Sequence, residues 1–440
     1  MCRLILCLFV AFLNFSSVNA ITLEEAIKAA LKHNAKWLAA VLENQANQQA
    51  TKTATAAFYP SISAQTSLGK SSSNTISQAR DQNSLSEKSH SNTKSLGLSA
   101  SQSLLNFSTF AQVRQAQESA SASKYNLAKT KQDIILNVLE AYLGLWAAYE
   151  NVKISRQNEK NLAQDLEASR KRLEVGIGIR QDVAANEAAH AEAVYHRIDA
   201  ESKLATAVAE FKKTVGVEPD GRLEPLDLPT CIPDDFDKFM AEVVRSNPSL
   251  MASRYQTQAS EADIDTQRGS LMPTVGLSVE ANSSLSDVDS RYHGALGPNR
   301  DRWEHSFSAK ISLSVPILAC PRYSRIRQAN LKAQSAKMNY LLMRQEVTKA
   351  CHSYWAQLQT TEAQVQQAEL AVRSAEIAVD GMRQCLTVGT KSTTDVLQQE
   401  QRLLQSRKSR VEATQKHIMT VFTLMSLAGR LSLETVTKGK

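Results

Sequence analysis

The residue types that carry catalysis and metal binding are present in this chain, but not at working spacings. Its eight histidines include no His-Glu-x-x-His and no other paired-ligand offset. There is neither a Gly-x-Ser-x-Gly nucleophile turn nor a glycine-rich phosphate loop. No local motif points to hydrolytic or metal chemistry, and the chain is expected to be no enzyme and to hold no cofactor or metal. Cys231, Cys320, Cys351 and Cys385 form no Cys-x-x-Cys pair. Cys351 and Cys385 fall on one expected helix, about 50 Å apart at ~1.5 Å per residue, and cannot join within a chain. Free, helix-packed thiols are the expectation. His190 and His196 read as surface residues of a polar helix. The ionisable residues with a distinctive position are Asp182 and Asp395. Each opens an expected helix, where the N-terminus favours a carboxylate, and Lys391 lies just ahead of the second.

The elements that must position these residues are long helices. Fifteen glycines and ten prolines in 440 residues are about half the usual share. Few turns are therefore available, which disfavours a many-stranded sandwich, barrel or propeller of the whole chain and favours long helices. The length fits about three domains or one long repeat-built body. A net charge of +7 arises from 51 basic and 44 acidic side chains, with no block of five or six like charges, so a nucleic-acid partner is not expected. After residue 20 no run of ~18 apolar residues exists, which excludes a bundle of membrane-spanning helices.

Residues 1–20 read as a signal peptide: Arg3, the apolar run Leu4–Leu13, and the small-x-small site Val18-Asn19-Ala20. The apolar run is too short for a membrane anchor, and Cys7 lies inside it rather than after it, which argues against lipidation. Export permits disulfides but does not require them.

Beyond residue 20 the chain is one pattern written twice, 213 residues apart without a gap. Asn34 matches Asn247, Pro60 matches Pro273, and Arg114-Gln115-Ala116 matches Arg327-Gln328-Ala329. Asp182-Val183 matches Asp395-Val396, Glu187 matches Glu400, and Gly216 matches Gly429. The expected division is 21–216 for repeat 1, 217–233 for a linker, 234–429 for repeat 2 and 430–440 for a tail. Each repeat begins with a helix, about Leu23–Ala57 and Asp234–Gly269, stopped by proline. Two strands come after it. Phe307, Ala309, Ile311, Leu313 and Val315 alternate with Ser308, Lys310, Ser312 and Ser314, a period of two, and Val275, Leu277 and Val279 do the same. Ile62, Ala64, Thr66, Leu68 and Leu96, Leu98, Ala100 repeat this more weakly. Lys70–Lys94, rich in Ser, Asn and Gln, reads as a mobile loop.

A very long helix comes next, about Ser108–Val175 and Tyr323–Val388, each on the order of 100 Å. Leu358, Val365, Val372, Val379 and Leu386 recur by sevens, with Thr361, Ala368, Ala375 and Met382 three residues on, a coiled-coil seam. After a short turn the chain returns in Asp182–Val215 and Asp395–Ala428. Leu397, Leu404, Val411, Ile418 and Met425 carry the second return helix's stripe, and Ala184, Ala191, Ile198, Ala205 and Lys212 the first's. Trp146 and Trp355 fall on apolar stripes. Trp303, just before a strand, stands as an interfacial aromatic or an ordinary loop residue.

Four strands cannot close an outer-membrane barrel, whose minimum is about eight, and an open sheet has edges that lipid does not tolerate. Apolar-faced strands in an exported chain therefore imply a barrel shared among subunits. Three chains would give twelve strands, Lys310 and the serines lining the lumen, with the hairpins below forming a hollow cylinder. The alternative is a periplasmic coiled-coil scaffold without a channel, which leaves the repeated strand pairs unexplained.

Over nearly the whole mature chain these features resemble the TolC-type outer membrane efflux proteins. The resemblance rests on the signal peptide, the duplicated order of elements, and two tips. Those tips are Leu173-Glu174-Val175-Gly176 with Asp182-Val183, and Leu386-Thr387-Val388-Gly389-Thr390-Lys391 with Asp395-Val396-Leu397. It implies a mainly α fold with a β-barrel part: a homotrimer whose duplicated coiled-coil hairpins form an α-helical tunnel continued by a shared twelve-stranded outer-membrane barrel. Such a protein is a passive exit duct of a drug efflux pump or type I secretion system. Its partners are outer-membrane lipid, a periplasmic adaptor (membrane fusion) protein docking at Val175, Gly176, Val388 and Gly389, and an inner-membrane ABC or proton-driven transporter. The resemblance further implies a latch between Asp182 and Lys391 and a tunnel ring at Asp395. Leu386 stands where the family has a latch tyrosine, Lys391 where it has arginine, and Gln398 where well-studied members have a second ring carboxylate. Asn106-Phe107 and Cys320-Pro321 replace its usual glycine pairs. A metal-ion duct of the same fold is a further alternative, although no His- or Met-rich cluster marks one.

Overall fold

Two asparagines set the first departure from the expected elements. Asn34 and Asn247 take extended backbone angles and break each opening helix in two. Each caps the second of the two helices it separates. Asn34 Oδ1 accepts from the amides of Lys36 (2.9 Å) and Trp37 (3.2 Å), and Asn247 Oδ1 from those of Ser249 (3.0 Å) and Leu250 (3.1 Å). Pro248 adds to the second break by disfavouring helix at the residue before it. The expected single helices are thus α1 (Leu23–His33) with α2 (Ala35–Ala56), and α5 (Phe236–Ser246) with α6 (Pro248–Gly269).

The computed structural model describes residues 22–78, 84–219, 235–292, 295–296 and 300–432. The expected signal peptide, Cys231, nearly all of the linker and most of the tail lie outside them. The remaining elements are β1 (Ser61–Gln78), β2 (Ser84–Leu105), α3 (Phe107–Glu174), α4 (Arg180–Val215), β3 (Thr274–Tyr292), the two-residue β4 (Ala295–Leu296), β5 (Arg300–Ser314), α7 (Cys320–Thr387) and α8 (Thr393–Leu427). Leu23 and Phe236, Ala35 and Pro248, Ser61 and Thr274, Phe107 and Cys320, and Arg180 and Thr393 open matching elements 213 residues apart.

The chain divides into two compact units. One, residues 43–124 and 252–341, carries the sheet. Its strands run antiparallel in the order β1-β2-β3-β5, with β4 beside the end of β3. The reading of Lys70–Lys94 as a mobile loop fails here, because β1 and β2 stay paired from Ser61–Ser101 through Lys70–Asn92 to Gln78–Ser84. Backbone pairing needs no apolar side chains. Within that stretch serine hydroxyls bridge the strands, Ser73–Ser89 at 3.4 Å and Ser91–Ser286 at 3.0 Å, and the ladder continues outside it at Ser61–Ser101, Ser63–Ser99 and Ser67–Ser95. The register puts Ala64, Leu98, Ala281 and Phe307 in one row on one face. Leu68, Leu96, Leu98, Trp303, Phe307 and Ile311 are all exposed. Beneath the sheet, Gly269 lets α6 touch the start of α3: a Cβ there would lie 2.5 Å from the Ser108 amide nitrogen. Ser108 Oγ donates to the Thr266 carbonyl at 3.0 Å.

The other unit, residues 1–42, 125–251 and 342–440, holds the main apolar core. Ile27 and Ala30 of α1 meet Ile135, Val138, Leu139, Tyr142 and Leu143 of α3, Phe211 and Val215 of α4, and Phe422 and Met425 of α8. The heptad seam of α7 is buried at Thr361, Val372 and Val379 and half-buried between. On α8, Val411, Ile418 and Met425 are buried as the sevens require. The α4 stripe is corrected: Ala184, Ala191, Ile198, Ala205 and Lys212 are exposed, and the inward row is Asn186, Ala193 and Ala200. Alanine occupies both faces of α4, so the apolar contrast that fixes phase on α8 is missing. Trp355 packs on Phe236 and Phe239, with ring centres 5.5 and 5.4 Å apart, and Trp146 lies against the Ala147–Ile154–Val411 cluster. Among the cysteines, Cys351 is buried and free, whereas Cys320 and Cys385 are free and exposed rather than packed. Burial pushes the Cys351 thiol up to about 11, so it stays protonated and unreactive.

Candidate functional site: the hairpin tips

Each long hairpin turns at a glycine. Gly176 and Gly389 have φ of 79° and 78°, the left-handed region that an L side chain enters only at a cost. The hydrogen bonds match as well. Ile177 N–H donates to the Arg172 carbonyl and Thr390 N–H to that of Cys385, both at 3.0 Å, closing the helix ends in Schellman fashion. Val175 and Val388, beside the glycines, are 70% and 77% exposed, so apolar side chains project from both tips.

The return helices differ at their first turn. Ser392 and Asp395 form a complete capping box. The Asp395 amide donates to Ser392 Oγ at 3.2 Å, while Asp395 Oδ2 accepts from the Ser392 amide (3.1 Å) and hydroxyl (2.9 Å). The Ser392 backbone N–H, then its hydroxyl, then nearby Lys391 hold the Asp395 carboxyl below its ordinary range. At the first tip the N-cap is Ile179, with no side-chain bond, so Asp182 has no such partner. Asp182 and Lys391 form no ion pair with each other among the described residues. Leu386 is half-buried and Gln398 exposed.

Sequence reasoning missed the strongest polar contact near the tips. Arg383 of α7 reaches Glu400 Oε1 of α8 through Nη2 (2.5 Å) and Nε (3.1 Å), and Nη2 also meets Asp165 Oδ2 of α3 at 3.2 Å. Glu400 is buried, and its Oε2 has no partner. Burial pushes its carboxyl up, Arg383 opposes, and Asp165 adds to the rise. Burial also works against the Arg383 charge, but Glu400, Asp165 and Asp380 outweigh it and raise its pKa. The repeat held the signal: Arg170 and Glu187 stand 213 residues earlier and also pair, at 3.1 Å, but both are exposed. An open groove of about 550 Å³ runs among α3, α4 and α8, lined by Leu162, Ala189, Glu192, His196, Gln398 and Leu404. No group of three His, Cys, Asp or Glu among the described residues is placed to hold a metal.

Each repeat runs from two antiparallel strands into a long paired hairpin, and this order is written twice. The family described as "Outer membrane efflux protein" matches residues 26–217 and 240–430, and the chain belongs to it. Among relatives, it is 26% identical to the outer membrane efflux protein BepC of Brucella suis, over 78% of this chain and 73% of that protein. It is 23% identical to the alkaline protease secretion protein AprF of Pseudomonas aeruginosa, over 98% and 89%. The fold is that of the Campylobacter jejuni CmeC outer membrane channel (TM-score 0.75, 15% identity, 95% of this chain and 89% of that one). It is also that of the Vibrio cholerae outer membrane protein VceC (TM-score 0.76, 16% identity, 92% and 96%).

Proposed function

We propose that this outer-membrane channel is the passive exit duct of a tripartite efflux pump or a type I secretion system, working as a homotrimer. The observation that carries the trimer is the sheet. It has four long strands, apolar side chains exposed on one face, and β1 and β5 as outer strands, each with one side unpaired among the described residues. Three copies supply twelve strands, above the barrel minimum of about eight, and satisfy every edge. Ser308, Lys310 and Ser312 then face a polar lumen. Val175, Gly176, Val388 and Gly389 are the docking points for a periplasmic adaptor, and an inner-membrane ABC or proton-driven transporter supplies the energy.

In this reading Asp395 from three chains forms an acidic ring, with Asp182 and Lys391 as a tip-to-tip latch. Its lowered carboxyl keeps Asp395 charged, as a cation-selective ring needs. An exposed Lys–Asp pair is worth roughly 0–1 kcal/mol, so the latch is weak and an adaptor overcomes it easily. The test is the detergent-extracted protein: its mass, then planar-bilayer recording at low salt, where screening is least. The expected result is a trimer whose cation selectivity falls in Asp395→Asn and whose resting conductance rises in Lys391→Ala. A stable monomer that still inserts into lipid overturns the trimer. Unchanged selectivity in Asp395→Asn overturns the ring.

A further inference from the structure

We propose that the outward face of the sheet carries, one residue row beyond Trp303, a site for the phosphorylated sugar headgroup of an outer-leaflet glycolipid. The site rests on the outer-membrane duct reading, in which the helices face the periplasm and the far end of the sheet faces outside, and names the lipid that the barrel wall holds.

The sheet sorts its side chains by face and by height. On β2, Asn92, Lys94, Leu96 and Leu98 are exposed, while Ser91, Thr93, Ser95 and Gly97 between them are half-buried, so the first set stands on the open, outer side. On the same face β5 presents Leu313, Ile311, Ala309, Phe307 and Trp303. Leu313 lies ten residues from Trp303, about 33 Å of strand at ~3.3 Å each and about 25 Å of height at a ~40° tilt. That is the height of a barrel's lipid band. His305, the polar member of this run, lies against Trp303 at its upper edge, with ring centres 6.4 Å apart.

Immediately beyond the band the chemistry changes. Leu68, Lys94, Leu285 and Trp303 form its last row, and Lys70, Asn92, Asp287 and Asp301 form the next. All of these but Trp303 line one open cavity of about 560 Å³. Lys70, Lys94, Asp287 and Asp301 have no side-chain hydrogen bond or ion pair among the described residues. Lysines on the helices do pair, as Lys28 with Glu24 and Lys203 with Asp199. Asp287 and Asp301 also stand directly opposite each other, which weakens a sheet. These charges add nothing to the fold, and their layout fits a partner. The basic pair is on β1 and β2, the acidic pair on β3 and β5. Strands ~4.8 Å apart put Lys70 and Asp301 about 14 Å apart, wider than one phosphodiester. Lys70 and Lys94 take a phosphate, with the Asn92 amide as a further donor. Asp287 and Asp301 accept from sugar hydroxyls in charge-assisted hydrogen bonds. Leu68 and Leu285 lie on the membrane side, where the acyl chains descend along the apolar band.

The test is native mass spectrometry of the full-length protein in detergent, titrated separately with lipid A (a phosphorylated, acylated glucosamine disaccharide) and with phosphatidylglycerol. Lys70 and Lys94 are exposed, so replacing both with alanine leaves the fold intact. That double variant should bind lipid A on the order of tenfold more weakly than wild type, ~1.4 kcal/mol for two lysines at a lipid surface. Wild type should prefer lipid A to phosphatidylglycerol, and Asp287→Asn with Asp301→Asn should narrow the preference. Arg302→Ala, on the opposite face beside Asp301, should bind lipid A as wild type does. An equal loss in Arg302→Ala and in the lysine variant reduces the site to general charge attraction and overturns it. Equal wild-type affinity for the two lipids overturns it as well, and both results leave the duct standing. Inorganic phosphate bound through the lysines, with no lipid A bound, makes the patch an ion site and overturns the lipid. A wild-type protein that binds neither lipid and stays in solution without detergent overturns the duct reading and the site with it.

Discussion

The two hairpin tips share a backbone and differ in chemistry. Their glycines have φ of 79° and 78°, their helix-closing hydrogen bonds coincide, and their arginine–glutamate pairs sit at equivalent positions. The first tip has no N-cap side chain, and its ion pair lies in solvent. The second has a full capping box, and its ion pair joins a half-exposed arginine to a buried glutamate. Duplication therefore preserved the turn, which is a backbone requirement, and let the side chains around it diverge. The second tip is the one built to hold a position.

The largest expected effect probes the ion pairs. Arg383→Ala leaves the buried Glu400 without its counter-ion; Arg383 itself is 40% exposed, so solvent screening holds the loss to about 1–2 kcal/mol. Arg170→Ala removes an exposed pair worth roughly 0–1 kcal/mol. Thermal unfolding of the detergent-solubilised protein checks this: a clear drop in Tm for Arg383→Ala beside an unchanged value for Arg170→Ala. Equal drops would erase the distinction between the tips.

The next effect tests where the tips agree. Gly176→Ala and Gly389→Ala each force a Cβ into the left-handed region, at a cost of about 1 kcal/mol. No atom lies within 4 Å of a Cβ built at either glycine, so strain alone sets the cost and the two should match. Limited proteolysis at each tip reads the loosening, and a large inequality would mean that the turns are not equivalent in solution.

The order of elements and the 213-residue register were legible because helix stops, turn glycines and strand alternation are local signals. The seam of α7 and the stripe of α8 were legible because Val and Leu mark one face by sevens. On α4 alanine marks neither face, and the inward row went to Asn186, Ala193 and Ala200 instead. The helix breaks at Asn34 and Asn247 were within reach, since both asparagines stood out as repeat markers and the second precedes proline. The extent of β1 and β2 was not, because a serine ladder between backbone-paired strands looks like a loop. For the site, position alone singles out Gly176, Gly389, Asp182 and Asp395, and of these the structure gives the glycines a turn and Asp395 a capping box. Arg383 is not legible in the sequence because Asp165, its partner on the first hairpin, lies 218 residues away and has no counterpart in the repeat.

The smallest effect arises from one side chain. Ser392 gives α8 an N-cap whose hydroxyl accepts from the Asp395 amide, and Asp395 answers through its carboxylate. Ile179 occupies the matching position ahead of Asp182 and can accept nothing. Ser392→Ala should cost the second tip ~1 kcal/mol, the usual value of a lost serine cap. Ile179→Ser should give the first tip the same Ser-x-x-Asp box and stabilise the start of α4 by somewhat less, about 0.5 kcal/mol, because an exposed Ile also loses little on removal. Amide exchange over residues 180–183 and 393–396 measures both changes locally, without reference to assembly. The expected pattern is faster exchange at the second tip in Ser392→Ala and slower exchange at the first in Ile179→Ser. Acid should undo both boxes. A carboxyl held below its ordinary range contributes above that range and loses its contribution as pH falls through the lowered value. The cap at Asp395 therefore weakens in acid. If Ile179→Ser leaves exchange over residues 180–183 unchanged, the missing cap is not what separates the two tips, and their difference rests on Arg383 alone.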